Sequence, residues 1–413
     1  MSITTLQNFC KKNLFLFFYI LLFTMILGRT TLEVVASLGM LFSFYLLARN
    51  WSYYFDALVK SRYLYVSLAF VIPIGISLLD TLGMAKALSV FLQMLRYLFI
   101  GVIAIAMTQN MENYQRLLKL TFYTLMFICI DAIIQWLTNY NIYGYNPVVN
   151  NRVRGIFKDY HLSYFLGTFA PIVLFYLYKK LKEKYTLLRL ALSVISIILL
   201  ITAVIVGGAR AGMISLFVSI ALFIGYLFYT GAVKHKLRFL GGVFVVLALG
   251  IGIVSQSKIV QERFHRTTSS FGSDQFLKQF TSSRTNIWYV GFNEIPNYWI
   301  NGVGPRAFDK VYQTYPEDYK IYKYVFQPHL HGLEVMIETG VIGFIPYLLV
   351  LLYLFVRMFK ARAGNEWIMM GFVAMMPINS HVGLYENFWM PMVWIPIMLG
   401  LSLGYKTQNL KIK

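Results

Sequence analysis

The sequence is poor in charge. Asp, Glu, Lys and Arg make up 13% of its 413 residues, against roughly 25% in an ordinary soluble domain. A soluble protein of this size would need far more polar surface to cover its core. Acidic residues are scarcer still, with 17 Asp and Glu beside 37 Lys and Arg. Cysteine is nearly absent: Cys10 and Cys129 lie far apart, and Cys129 sits within an apolar block. That excludes a disulfide framework and a cysteine-based metal site. The chain has no P-loop, no Gly-x-Gly-x-x-Gly in a strand–helix context and no His-Glu-x-x-His. No Asp-x-Asp pair stands in the loops opposite the basic connectors. ATP hydrolysis and zinc proteolysis are thereby disfavoured.

What is present is apolar length. Hydrophobic residues make up 58% of the chain, and the mean hydropathy is +0.62. The apolar residues fall in blocks of about 17 to 23, the length that spans a bilayer. A membrane β-barrel would show short alternating strands instead. The pattern predicts an all-α polytopic membrane protein with about 12 transmembrane helices. The expected spans are near 13–28, 32–48, 63–79, 87–107, 115–137, 161–178, 187–207, 211–230, 237–255, 333–357, 366–382 and 387–404. The first follows Lys11 and Lys12 with no small-residue cleavage pattern after it, so it is read as a retained helix. Residues 1–413 are expected to form a single transmembrane domain, with one long loop, 256–330, between helices 9 and 10. That loop has too little apolar content for a core of its own, so short helices lying on the bundle are expected.

The formal net charge of +20 would suggest nucleic acid in a soluble chain. Here the basic residues gather in alternate connectors: Arg49, Lys60 and Arg62; Lys179, Lys180, Lys182 and Lys184; Lys234, Lys236 and Arg238; Arg357, Lys360 and Arg362. Lys406, Lys411 and Lys413 fall on the same side. By the positive-inside rule that side is cytoplasmic, as are both termini, and no nucleic-acid partner is implied. Loops 138–160 and 256–330 then face outward.

Several outward residues are costly at a membrane surface. Arg210 sits in the very short connector Gly207-Gly208-Ala209-Arg210-Ala211-Gly212. A snorkelling arginine is one reading; anion binding is the other, with small neighbours that let another group approach the backbone. Arg284 precedes a helix-like stretch containing Trp288, and Arg152 and Arg154 flank Val153. These three read as solvated arginines or as ligands for a phosphate or headgroup. His329 and His331 stand two apart at the junction of the long loop with a helix. They suit proton transfer near neutral pH; no carboxylate or cysteine set nearby completes a metal site. Asp131, with Gln135 on the same helix face, is expected to hold the outer loop. A transporter or flippase would place charged or helix-breaking residues deep in several helices; few are present.

The residues resemble the O-antigen ligase and polymerase superfamily, bacterial inner-membrane glycosyltransferases that use polyprenyl-diphosphate-linked glycans. The helix count and the long loop before the third-last helix match the family layout. So do Arg210 in its Gly/Ala turn and the Arg-x-x-x-Trp element at Arg284 and Trp288. The family's Pro-His-Asn-x-x-Leu-x-x-x-x-Glu-Thr-Gly-x-x-Gly motif is matched at Pro328, His329, Leu333, Glu338, Thr339, Gly340 and Gly343, with Leu330 in place of its Asn. The segment from Arg154 to Pro171 and the turn Asn301-Gly302-Val303-Gly304 are similar as well. The resemblance implies that His329 is the general base, with His331 the alternative. It implies that Arg210 and Arg284 bind the diphosphate, and that Arg152, Arg154, Trp288 and Glu338 contact substrate. It implies no metal and no cofactor, a lipid-linked oligosaccharide donor, and either lipid A–core or a second lipid-linked glycan as acceptor. A ligase for lipid A–core is the first reading, an O-antigen polymerase the second, and a transporter or lipid flippase the third.

Overall fold

The computed structural model describes residues 3–146, 152–255, 261, 265, 268–269, 281, 283–316, 320, 323–360, 363–380 and 382–412. The described residues hold no strand. The helices are α1 (Ile3–Leu22), α2 (Thr24–Leu27), α3 (Arg29–Arg49), α4 (Trp51–Lys60), α5 (Tyr63–Ser77), α6 (Met84–Thr108), α7 (Met111–Thr138), α8 (Leu162–Glu183), α9 (Leu187–Val206), α10 (Arg210–Tyr229) and α11 (Lys236–Ser255). After the long loop begins come α12 (Arg284–Glu294), α13 (Phe308–Thr314), α14 (His331–Lys360), α15 (Asn365–Met375) and α16 (Met390–Ile412). Among the described residues eight helices are long and apolar enough to cross a membrane, or nine if the bent pair α4 and α5 is one span.

Three stretches differ from the hydropathy reading, each for a local reason. Residues 51–60, expected as connector, form α4, which meets α5 at 83°. The Asn50 side chain caps it by accepting the Tyr53 N–H at 3.2 Å, and Trp51 stacks on Phe55. The apolar block 13–28 is divided between α1 and α2. The blocks 366–382 and 387–404 are shortened from their facing ends. Met376 precedes Pro377 and turns extended (φ −57°, ψ 144°), as the proline ring demands. The described residues 376–380 and 382–389 therefore lie outside the helices, in the loop between α15, of 11 residues, and α16.

The chain divides into two compact units. The first comprises residues 1–24, 29–110 and 267–413. Phe70 meets Tyr347 and Trp394 edge-on within it, joining α5 to α14 and α16. Its most telling feature is a break in α14. Gly340 has φ 60° and ψ −165°, a backbone region open essentially to glycine. The chain at 299–304 fills the gap in the helix ladder. Val303 and Gly304 N–H donate to the Ile337 and Glu338 carbonyls at 2.8 and 3.0 Å. Val341 and Ile342 N–H donate in turn to Trp299 and Ile300 at 2.7 and 3.3 Å. Four backbone groups beside the kink thus find partners outside the helix, as burial requires.

Tertiary bonds sort the first unit into two ends. Leu82 N–H donates to Val303 O at 2.9 Å, Asn301 donates to Asp80 at 3.0 Å, and Lys86 pairs with Asp309 at 2.8 Å. At the other end of α6, Lys406 Nζ donates to the Thr108 and Gln109 carbonyls. The described part of the long loop does build short helices. They enclose a small core of Ile287, Val290, Val303, Ala307, Phe308, Val311, Tyr312 and Val325, completed by Ile337 of α14.

The second unit comprises residues 25–28 and 111–266. Helix α8 is its most enclosed span. A Cβ on Gly212 of α10 would overlap the Ser163 backbone of α8, so the two helices pack main chain against main chain. Ser219 then reaches across to donate to the Gly167 carbonyl at 3.2 Å.

Candidate functional site

The residues singled out in the sequence fall in two places, one in each unit. In the first unit they collect around the start of α14. His329 lies two residues before the helix, half-buried, with a left-handed backbone at φ 53°. A non-glycine residue in that region is uncommon and marks a position held by its surroundings. Buried Pro328 precedes it, and the Gln327 carboxamide lies against the ring, Nε2 at 3.4 Å from Nδ1.

His331 is placed differently. It is 1% exposed. Its backbone N–H donates to Asn379 O at 3.0 Å, and its ring Nε2–H donates to Val382 O at 2.7 Å. The remaining nitrogen, Nδ1, is buried with no hydrogen-bond partner among the described residues. Such a ring fastens a loop; it offers no nitrogen to a substrate. Of the two histidines, His329 has the accessible place.

Glu334 and Glu338, one turn apart on the helix, are both buried. Glu334 accepts the Leu384 and Tyr385 N–H groups at 2.9 and 3.3 Å. Glu338 accepts the Arg306 N–H at 2.7 Å. Expected as a substrate contact, Glu338 is at 1% exposure an anchor for the turn that carries Arg306. The Arg306 side chain in turn pairs with Glu386 at 2.8 Å.

Arg284 opens α12, with Trp288 one turn on, so the two share a helix face. Arg284 is half-buried, and its Nη1 donates to Ser380 Oγ at 2.8 Å. The Trp288 Nε1 is buried without a hydrogen-bond partner among the described residues. A Cβ on Gly291 would meet Leu333 at 2.8 Å, so α12 rides directly on the first turns of α14.

The loop 376–389 thus bonds to Arg284, Arg306, His331 and Glu334. The hydropathy reading absorbed most of it into two helices, Ser380 included, and gave no role to Glu386 or its partner Arg306. The signal was the run Pro377-Ile378-Asn379-Ser380 inside an apolar block, a turn composition.

In the second unit Arg210 begins α10, exposed at its N-terminal end. Its small neighbours were expected to admit another group. The group they admit is α8: Ser163 Oγ accepts the Ala209 N–H at 3.1 Å and donates to Val204 O at 2.8 Å. Arg210 lies within electrostatic reach of Arg152. Arg152 stands over the Tyr160 ring at 5.3 Å, and Arg154 over Tyr145 at 4.9 Å. Arg154 also donates to the Lys158 carbonyl at 3.1 Å.

This second place is built on α7, as Asp131 and Gln135 suggested. Gln135 Oε1 accepts the Arg154 and Gly155 N–H groups, both at 2.8 Å, while its Nε2 donates to Tyr145 O at 2.8 Å. Asp131 accepts the Ile142 N–H at 2.8 Å. His161, beside this loop, packs on Tyr164. Burial holds its imidazole below the ordinary pKa, with Asp159 opposing.

Chemically, each place offers guanidinium groups: Arg284 and Arg306 in the first, Arg152, Arg154 and Arg210 in the second. Each also has a half-buried imidazole: His329 in the first, and in the second His161, whose ring packs on Tyr164. The spans make the chain a multi-pass membrane protein. No curated protein matches it. Residues 195–348 match the family model described as O-antigen ligase, and they include Arg210, Arg284, Trp288, His329 and Glu338. Over that segment, less than half of its length, the chain is similar to the O-antigen ligase family, whose members are glycosyltransferase-like ligases or polymerases.

Proposed function

We propose that the protein is an O-antigen ligase, moving a glycan from undecaprenyl diphosphate to lipid A–core oligosaccharide at the periplasmic face of the bacterial inner membrane. One observation carries this reading. Within the family segment, Arg284 and the strand of chain bearing His329 are tied to the same loop through Ser380 and Asn379.

The chemistry follows from the groups. His329 takes the proton of the acceptor hydroxyl. The hydroxyl oxygen bonds to the anomeric carbon as the bond from that carbon to the diphosphate oxygen breaks. Attack opposite the leaving group inverts the centre. Negative charge grows on the departing diphosphate, and a guanidinium already in place strengthens its hold as that charge develops. Arg284 fills this role with a fixed fork of donors. Because arginine carries the charge, the reaction needs no metal. For His329 to act through Nε2, Nδ1 holds the ring proton. Turning the Gln327 carboxamide end for end presents an oxygen to accept it. In the second unit, Arg210 and Arg152 serve as anion ligands, and Tyr145 and Tyr160 brace the arginines beside them. Trp288 offers a face for a sugar ring.

The test is transfer in reconstituted membranes, with a polyprenyl-diphosphate-linked glycan as donor and lipid A–core as acceptor. Glycan is expected on lipid A–core with wild-type protein and with chelator present. It is expected to be lost with His329→Ala and retained with His331→Gln in protein that still folds. Lengthening of the lipid-linked glycan with nothing on lipid A–core would make the protein a polymerase. No transfer of either kind would overturn the enzyme reading in favour of a transporter.

A further inference from the structure

The loop 376–389 lies outside the segment that matches the family, yet it organises the polar groups of the first unit. Its course is fixed at many points. Pro377 O and Asn379 O accept the Gly332 and His331 N–H groups, both at 3.0 Å. Val382 O accepts from the His331 ring at 2.7 Å. The Leu384 and Tyr385 N–H groups close on Glu334. Asn387 bonds to Glu33, and the Trp389 indole donates to Ala374 O at 2.9 Å. A loop held so often is a rigid frame, not a spare connection.

Ser380 is the point where this frame meets Arg284. It is 9% exposed, and its hydroxyl accepts from Arg284 Nη1 at 2.8 Å. The identity of that partner matters. An arginine is long and rich in rotamers, so a fixed acceptor is needed to hold its fork in one place. A carboxylate would hold it more strongly, but would also neutralise it and compete with a bound anion. The Ser380 hydroxyl holds the guanidinium without itself bringing a negative charge that would compete with a diphosphate.

We propose that Ser380 is a positioning residue for Arg284, and that the loop it stands on, fastened by His331 and Glu334, sets the guanidinium against the His329 segment. The proposal rests on the reading of Arg284 as a ligand of the leaving group.

The experiment is the same transfer assay on the full chain in proteoliposomes, with Ser380→Ala, Ser380→Thr and Ser380→Asp beside Arg284→Ala, and melting recorded for each in detergent. Ser380→Ala is expected to lower kcat/KM for the lipid-linked donor roughly tenfold, the size of a lost hydrogen bond to a charged group, with melting unchanged. Ser380→Thr, which keeps the hydroxyl, is expected to recover most of the wild-type rate. Ser380→Asp is expected to fall below Ser380→Ala although it gives Arg284 a stronger partner; a merely structural role would be satisfied by it. Wild-type rates in Ser380→Ala beside an inactive Arg284→Ala would overturn the positioning role alone. So would a Ser380→Asp at least as active as Ser380→Ala, or a loss in all three variants that tracks a loss of melting temperature. Full transfer by Arg284→Ala would instead remove the reading of Arg284, and the positioning role with it.

Discussion

At the scale of single residues, the polar groups of this protein divide into those that hold loops and those that carry charge outward. Gln135 is of the first kind. Its carboxamide satisfies two N–H groups and one carbonyl of the loop bearing Arg152 and Arg154. Gln135→Leu keeps the bulk and leaves those groups unpaired. A loss of about 2–4 kcal/mol is expected, since each stranded group costs roughly 1–3 kcal/mol; chemical or thermal unfolding in detergent measures it. His161 gives the pH dependence of the same unit. Its pKa is held below the ordinary value, chiefly by burial, so the unfolded chain binds a proton more readily than the folded one. The stability it contributes is complete above the unfolded pKa of about 6.5, and is lost as pH falls through that value toward the lower folded pKa. Between pH 7.5 and 5.5 the wild type is expected to lose more melting temperature than His161→Gln. Equal losses in the two proteins would place the proton elsewhere.

At the scale of elements, the break in α14 shows what a motif of glycines is for. A Cβ on Gly340 would overlap the Ile300 carbonyl, and a side chain there would also be strained at φ 60° and ψ −165°. Gly340→Ala is expected to cost on the order of 3 kcal/mol and to expel the 299–304 segment. The measurement is proteolysis of the detergent-solubilised protein: cleavage near residue 300 that is absent in wild type. The Glu-Thr-Gly-x-x-Gly pattern was visible in the sequence, as was the Asn-Gly-Val-Gly turn. That each plugs the other was not, because the pairing is between segments far apart in the chain. The long spans were legible for a simple reason: a bilayer demands about 20 apolar residues, and such runs stand out. The loop 376–389 was hidden by the same rule, since its Phe388 and Trp389 continue into the apolar run of α16. For the site, the arginines and His329 announced themselves as polar residues in apolar country. Ser380 and Arg306 did not, being ordinary until their partners are known. Motif spacing favoured His329 over His331 in the sequence, and the burial of His331 adds a second difference between them.

At the scale of the whole molecule, the question is which side of the membrane each end faces. Within the first unit the bonds are unambiguous about ends. The 78–83 turn, the 299–309 segment, the start of α14 and the loop 376–389 are joined at one end. Thr108, Gln109 and Lys406 are joined at the other, and a Cβ on Gly404 would meet Arg357 there. The second end carries Arg357, Lys360 and Lys406, while the first carries Arg284 and His329, with Lys86 and Arg306 paired to Asp309 and Glu386. Basic connectors stay on the cytoplasmic side of a membrane because moving Lys and Arg across is disfavoured. The site end is therefore expected to face the periplasm, where a polyprenyl-linked glycan would meet its acceptor. Helix α14 allows this to be read from one element, since it runs from the site to Lys360. In a Cys10→Ser background, with Cys129 buried, single cysteines are placed at exposed Tyr324 and at exposed Lys360. A membrane-impermeant maleimide added to intact spheroplasts is expected to label Tyr324→Cys at once and Lys360→Cys only after lysis. The reverse pattern would put Arg284 and His329 on the cytoplasmic side and remove a periplasmic ligase from consideration. Labelling of both cysteines in intact cells would mean that α14 does not cross the bilayer, and the count of spans would fall with it.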